Sequence, residues 1–369
     1  MIGLLAPAGV AHASPHPTAA HAVGEAAGAR PRNVVPGSGG IIAVRPDGKV
    51  FATVSHGTVR LWNTATGRRA GAAFAGGIGL IRAIGFSPDG KLLAVAADNE
   101  VSLWDTTTGE RSGSPLTGHV GPVRSVAFSS SGQLLASAGD DATVRLWDPT
   151  TGTLVRTITG HAGAVGSVVF SPDGRSLATA GIDHTVRLWQ TSTGQSIGAA
   201  ISANPGPVYA MSFSPDGSLL ATSDGGSDVR LWNPATGEPA GAPLTGSTGP
   251  VFALTFSLDG TLLATSSGGD NTVRLWNVAT RQPAAEPLAG HTAPVRAIRF
   301  SPNGKLLATG SDDGTVRLWN TATGSAVGSP LTGHEGPVWA LRISPDGKRL
   351  ITAGKDEKVR LWRLPKNPA

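Results

Sequence analysis

Short apolar, β-branched runs alternate with polar turns along almost the whole chain, and the runs recur. In residues 118–148, GHVGPVRSVAFSSSGQLLASAGDDATVRLWD, a V-x-x-V-x-F pattern (Val123, Val126, Phe128) leads into a polar turn, then LLASA, an Asp-rich turn and TVRLW. Runs of this length bounded by Gly, Pro, Asp and Ser predict strands joined by tight turns. None is long enough or helically periodic enough to predict a helix. A fourth, poorer strand is expected after each Trp, for example over residues 153–158. Each unit is therefore one small antiparallel sheet.

The unit repeats. Its Trp returns at Trp62, Trp104, Trp147, Trp189, Trp232, Trp276, Trp319 and Trp362, at separations of 42, 43, 42, 43, 44, 43 and 43 residues. Eight copies follow, and a sheet this small cannot bury both faces without neighbours. Stacking twisted sheets around an axis closes a ring. On the Gly-His openings (118–119, 160–161, 290–291, 333–334), the SPDG turns (87–90, 171–174, 214–217, 344–347) and the LW or LWD endings, the chain resembles the WD-repeat β-propeller family, in its bacterial type. The expected fold is all-β: a propeller of four-stranded antiparallel blades, eight in number, with seven blades and one copy left over as the alternative.

The propeller is expected over residues 34–364, with a tail at 365–369 and a separate segment at 1–33. Residues 2–10 form a short apolar run, and Ala11, His12 and Ala13 before Ser14 satisfy the small-x-small rule for signal-peptide cleavage. No Lys or Arg precedes the run and Pro7 interrupts it, so a disordered tail, with the protein in the cytoplasm, is the alternative to export. The chain ends within seven residues of Trp362, leaving the eighth sheet without a fourth strand. In the resembled family a segment from the opposite terminus closes the ring. Residues 25–35 are the candidate, a poor strand because they contain Pro31.

Composition changes little of this picture. The 51 Gly and 27 Pro are accounted for by the repeated turns. A net charge of +5 would suit nucleic acid. However, seven of the eight repeat Trp have Arg two residues earlier (Arg60, Arg145, Arg187, Arg230, Arg274, Arg317, Arg360), which spreads the charge around the ring. Nucleic acid is accordingly not the expected partner, and these Arg are read as structural, their stems lying between blades. The absence of Cys excludes disulfides, thiolate metal sites and a Cys nucleophile. No segment has the length of a transmembrane helix.

Counting back from Trp, four copies carry Asp at six, Ser or Thr at ten and His at twenty-eight: His119, Ser137, Asp141, Trp147; His161, Thr179, Asp183, Trp189; His291, Thr309, Asp313, Trp319; His334, Thr352, Asp356, Trp362. His with a hydroxyl and an Asp are the residue types of a hydrolase. Repetition in four blades points instead to structure, and the resemblance implies a buried hydrogen-bond chain that gives the Trp indole its acceptor. The other copies depart: Gly76 and Ala94 in copy two, Asn204 and Gly226 in copy five, Ser247 in copy six, and a degenerate copy one with His56 at its turn. Blades 1, 2, 5 and 6 are expected to be looser.

The resemblance also implies that ligands sit on the face carrying the loops before the innermost strand, where two positions per blade point outward. The first reads Gly40, Arg82, Arg124, Gly166, Tyr209, Phe252, Arg296 and Trp339; the second adds Asp140, Ile182, Asp312 and Lys355. Aromatic residues are rationed in this chain, and Tyr209 is its only Tyr. Three aromatic exceptions at one position, with three Arg at others, predict a binding face, since such types are enriched at hot spots. An aromatic sector is expected on blades 5, 6 and 8 and an Arg sector, selecting acidic groups, on blades 2, 3 and 7. The expected function is a non-enzymatic scaffold, a monomeric ring that binds a protein or peptide without catalytic residues, metal or cofactor. Small-ligand or glycan binding is the alternative, and an axial-cleft enzyme a further one.

Overall fold

In the computed structural model, residues 31–365 are described apart from 32, 38–39, 72, 75–78, 203–207 and 224–225. The signal-like segment, and Gly76 and Asn204, lie outside the described residues. Every regular element among the described residues is a strand, and the strands form eight antiparallel sheets. Blade 3 shows the pattern in full: Val123–Phe128, Leu135–Gly139, Val144–Asp148 and Thr153–Ile158, each paired with the next. The first strands of successive blades lie against one another, and that of blade 1 (Ile42–Val44) touches that of blade 8 (Val338–Ile343). Eight blades thus form a closed ring with the first strands innermost, which excludes the seven-bladed alternative.

The hydrophobic core is divided into eight clusters, one per junction between neighbouring blades. The LLASA run explains each cluster. Its strand alternates, so Leu135 faces blade 2 beside Trp147, whereas Ala136 and Ala138 face blade 4. At the junction of blades 3 and 4 those small residues receive Phe170, Leu177 and Trp189. A small face on one blade meets a large face on the next, so identical units stack head to tail and the rotation closes the ring. Leu135, Ala136 and Leu146 are wholly buried, as befits cores of native packing density.

The ring is closed by Asn33–Pro36, which pairs antiparallel with Lys358–Arg363 as the fourth strand of blade 8. Pro36 tolerates this place because it falls at the strand's last residue, on an edge where its missing N–H is not needed. Val35 is buried in the junction of blades 8 and 1. Closure therefore uses the C-terminal end of the expected segment and the residue beyond it; residues 25–30 lie outside the described residues.

One expectation needs correction. A regular fourth strand does not follow every Trp. In blades 1, 2, 5, 6 and 7 the outer segment touches its third strand at only two points, such as Val59 with Phe74 and Trp62 with Arg69. The third strand advances three residues there, from Val59 to Trp62, while the outer segment uses five, from Arg69 to Phe74. Blade 4 bulges likewise between Trp189–Ser196 and the short Ile201–Ser202. The residues responsible are Gly with positive φ (Gly71, Gly113, Gly198, Gly241, Gly328) and Pro at 115, 243, 287 and 330. Gly allows the left-handed turn and Pro cannot donate to a ladder.

Candidate interaction face

In each of the four complete blades the chain of hydrogen bonds runs from the blade interior to its loop. Trp147 Nε1 donates to Ser137 Oγ at 2.9 Å, Ser137 Oγ lies 2.8 Å from His119 Nε2, and His119 Nδ1 lies 3.0 Å from Asp141. Thr179, Thr309 and Thr352 take the place of Ser137 in blades 4, 7 and 8, each with its Trp and His at 2.7–2.9 Å. In blades 3, 4 and 7 one tautomer satisfies every member: the indole N–H and the hydroxyl each donate outward along the chain, toward the loop, and Nδ1–H donates to the carboxylate. Asp141 also accepts the backbone N–H of Val120 and Thr143, so one side chain ties the loop before the blade to its own turn.

The order of groups is that of a hydrolytic triad, but all four hydroxyls are wholly buried and already accept from Trp. No substrate atom reaches them. Burial lowers His119, His161 and His334 below the ordinary value, against the pull of their Asp partners, and favours the neutral ring. Burial would raise Asp183, yet hydrogen bonds from Ala162, His161 and Thr185 hold it down at about 2.

The Gly before each His has its own reason. Gly118 has φ +134°, its carbonyl accepts from Arg145 Nη2 at 2.8 Å, and a Cβ there would stand 2.8 Å from Nη1 of that Arg. The same crowding holds at Gly290 against Arg317. In blade 8, Arg360 donates to the Gly333 carbonyl and to Asp356, and sits 2.8 Å from His334 Nδ1. The Arg two residues before Trp thus reaches the Gly-His loop in blades 3 and 8, a polar contact beyond the packing of its stem.

The incomplete blades keep part of the chain. Trp62 donates to Thr53 at 2.9 Å, and Thr53 in turn donates to the carbonyl of Pro36, so the closing strand supplies the acceptor that His supplies elsewhere. Trp232 and Trp276 donate to Thr222 and Thr265. Thr265 is eleven residues before its Trp, because copy six carries an extra residue in the turn. In blade 2 the hydroxyl is replaced by Ala94; Trp104 stacks on Phe74 at 5.4 Å, with Arg111 over its ring. In blade 6, which lacks the His, Arg274 turns to Asp270 at 2.8 Å.

The first outward position is set by a β-bulge. In blades 2, 3, 4, 7 and 8 the register of the innermost strand shifts around one residue, and that residue is Arg82, Arg124, Gly166, Arg296 or Trp339. A bulge re-aims one side chain and leaves the rest of the ladder intact. In blades 5 and 6 the innermost strands shrink to Met211–Phe213 and Leu254–Phe256, so Tyr209 and Phe252 precede the strand. Hydroxyls anchor that backbone: Ser223 Oγ accepts from Ala210 N at 2.9 Å, and Ser266 Oγ from Phe252 N and Ala253 N. Gly268 leaves room for Phe252, whose ring would lie 2.6 Å from a Cβ there.

These positions do not divide into an aromatic and a basic sector. Tyr209 packs edge-on against Phe252 at 5.1 Å, and the Arg296 guanidinium lies 3.9 Å from the centre of the Phe252 ring. Arg296 is also held by Asp312, at 2.8 and 2.7 Å. Three blades thus contribute to one ladder, Tyr209–Phe252–Arg296–Asp312, all half-buried. Arg124 is gripped by Asp140 through two bonds of 2.6 Å, which raises its pKa further. Of the three Arg, only Arg82 has no side-chain partner among the described residues, and its Nε is buried without one. Ile182 and Lys355 are exposed, and Trp339 is half-buried beside Gly40. Sequence spacing placed these residues in register but could not show that the Asp at the second position neutralises the Arg at the first in blades 3 and 7.

A closed ring of eight blades, with buried polar chains inside and divergent side chains on its bulged loop face, defines a β-propeller with no group of metal ligands among the described residues. The repeats match the family described as WD domain, G-beta repeat, at residues 30–63, 75–105, 110–148, 152–190, 196–233, 239–277, 282–320 and 324–363. The chain belongs to this WD-repeat family. No curated protein matches it. Among solved structures, the crystal structure of the computationally designed Ika8 protein is similar with a TM-score of 0.77, at 24% identity, over 89% of this chain and 98% of that one. At that identity the likeness shows the fold.

Proposed function

We propose that the chain is a non-enzymatic scaffold that recognises a protein segment on the loop face of the propeller. Membership of the WD-repeat family supports an interaction scaffold in general terms. The Tyr209–Phe252–Arg296–Asp312 ladder carries the finer reading. It joins aromatic edges, a guanidinium plane and a carboxylate across blades 5 to 7, with Trp339 on the next blade at the equivalent position. Rigid aromatic and Arg groups presented by a fixed backbone suit hot-spot recognition. Since Arg124 and Arg296 are already paired, selection of acidic groups falls to Arg82 and Lys355, while the ladder supplies flat, neutral contact.

The single ring is the recognising unit. Affinity purification from the source organism with the wild-type chain and with Tyr209→Ala plus Trp339→Ala, followed by titration of the captured protein, tests the assignment. The double variant is expected to bind at least about tenfold more weakly, since loss of a hot-spot residue costs about 2 kcal/mol or more. Unchanged affinity with the ring still folded would remove the loop face from the reading.

A further inference from the structure

The innermost strands surround the axis of the ring, and the residue before the Phe of each V-x-x-V-x-F run, or before its replacement in blades 1 and 8, stands at one level of that inner wall. It is Ala43, Gly85, Ala127 and Val169 in blades 1 to 4, but Ser212, Thr255, Arg299 and Arg342 in blades 5 to 8. The wall is therefore apolar over one half and polar over the other. The position points at the innermost strand of the next blade. A Cβ on Gly85 would stand 3.9 Å from the Val126 carbonyl oxygen, and Ala127 and Val169 pack into the junctions beyond their own blades. A side chain the size of Ala, Val or Thr ends there. The longer Arg carries its guanidinium on into the axial opening, and both Arg299 and Arg342 are half-buried.

We infer that Arg299 and Arg342 form an anion site in the axial opening, which takes one small tetrahedral dianion of the sulfate or phosphate kind. The two Arg hold the same position on strands that touch, Val295–Phe300 and Val338–Ile343, so their guanidinium groups lie side by side. Arg342 Nη1 donates to the Leu341 carbonyl at 2.8 Å, a contact that fixes its aim and brings no charge. No blade places an Asp or Glu at this level. The loop carboxylates of the same blades are engaged elsewhere: Asp312 by Arg296, Asp313 by His291 and Asp356 by Arg360. Asp346, in the turn beyond Arg342, is exposed beside Lys348. Burial drives the pKa of Arg299 down to about 9, the Arg342 charge adding to it, and that of Arg342 down to about 10. Conditions that oppose two neighbouring cations favour a dianion between them, and the planar fork of Arg matches its oxygens. The site lies three residues along the strands from Arg296 and Trp339, about 10 Å from the loop-face position, and does not depend on the loop-face reading.

Equilibrium dialysis of the full chain against labelled sulfate, from about 10 μM to about 10 mM with chloride holding the ionic strength constant, tests this. Wild-type protein is expected to take up one ion per chain, saturably, and to release it to inorganic phosphate. Its melting temperature should rise over the same range and then level off, as site binding does, whereas the general stabilisation by sulfate keeps growing with concentration. Arg299→Thr with Arg342→Ser sets at both positions the residues that blades 6 and 5 carry there, so the ring should fold and bind no ion. Arg299→Thr alone should bind at least about tenfold more weakly, since one charged set of hydrogen bonds is lost. Arg68→Thr with Arg69→Ser removes the same charge from the exposed rim of blade 1 and should bind as wild type does. A wild-type chain that takes up neither ion saturably, uptake that survives the loss of both channel Arg, or an equal loss in the rim pair would overturn the proposal.

Discussion

Blades 3, 4, 7 and 8 hold their loops with a buried His–Asp chain, whereas blades 1, 2, 5 and 6 do not, and the difference reaches the surface. In the complete blades the innermost strand is six residues long and bulges at one position. In blades 5 and 6 it is three residues long, and a Ser hydroxyl anchors the backbone where a longer ladder would. Just ahead of those short strands Tyr209 and Phe252 meet across the blade boundary. Blades 5 and 6 thus replace the His–Asp network with a Ser hydroxyl that fixes the backbone carrying the aromatic side chains. Blade 2 is the intermediate case: without His or hydroxyl it keeps a six-residue strand, its Trp packed on Phe74 instead.

The sharpest way to break this comparison is Asp356→Ala in blade 8. Arg360 is 4% exposed and bonded to Asp356, so the change strands a buried cation and should cost about 3–5 kcal/mol in urea unfolding. Removing Asp270 from blade 6 should cost less, since Asp270 and Arg274 are both partly exposed to water. Equal losses would mean that the complete blades are not the rigid ones.

A middle-sized effect is expected for His161→Ala, which leaves Thr179 and Asp183 short of a partner. A loss of about 1–3 kcal/mol in thermal unfolding should follow, with partner binding intact in the folded fraction. Loss of binding without loss of stability would place this His at the interface instead.

The smallest effect is a titration. His119, His161 and His334 sit below 6.5 in the folded ring, so their contribution to stability is full above that value and declines as pH falls from 6.5 toward the folded values. The depressed Asp carboxyls act later: their contribution persists above the ordinary 3.8 and for Asp183 is lost as pH falls toward about 2. Between those windows, hydrogen exchange should accelerate in Leu135–Gly139, Ser176–Gly181 and Arg349–Gly354 but not in Leu262–Ser266, whose blade has no His in its chain. Uniform acceleration around the ring would contradict blade-by-blade stability.

Much of the ring could be read from residue order. The Trp period, the V-x-x-V-x-F and LLASA runs and the fixed His, hydroxyl and Asp offsets are local signals repeated eight or four times, and repetition averages away the ambiguity of a short strand. The outer strands were misjudged because Gly and Pro after the Trp look like ordinary turns, although they bulge a segment that still touches the sheet. The division into aromatic and basic sectors failed for another reason. It grouped residues by chemical type, whereas Phe252 and Arg296 become neighbours only because blades 6 and 7 are adjacent and their loops lean together.

Sequence alone determined the all-β class, the repeat count and which side chains share a position in every blade, because strand alternation and turn chemistry act within a few residues. Tertiary structure decided how the ring closes through Asn33–Pro36, which side chain each bulge turns outward and which Arg are already neutralised. Those outcomes depend on contacts between residues tens to hundreds of positions apart, and on distances of a few ångströms that no local pattern encodes.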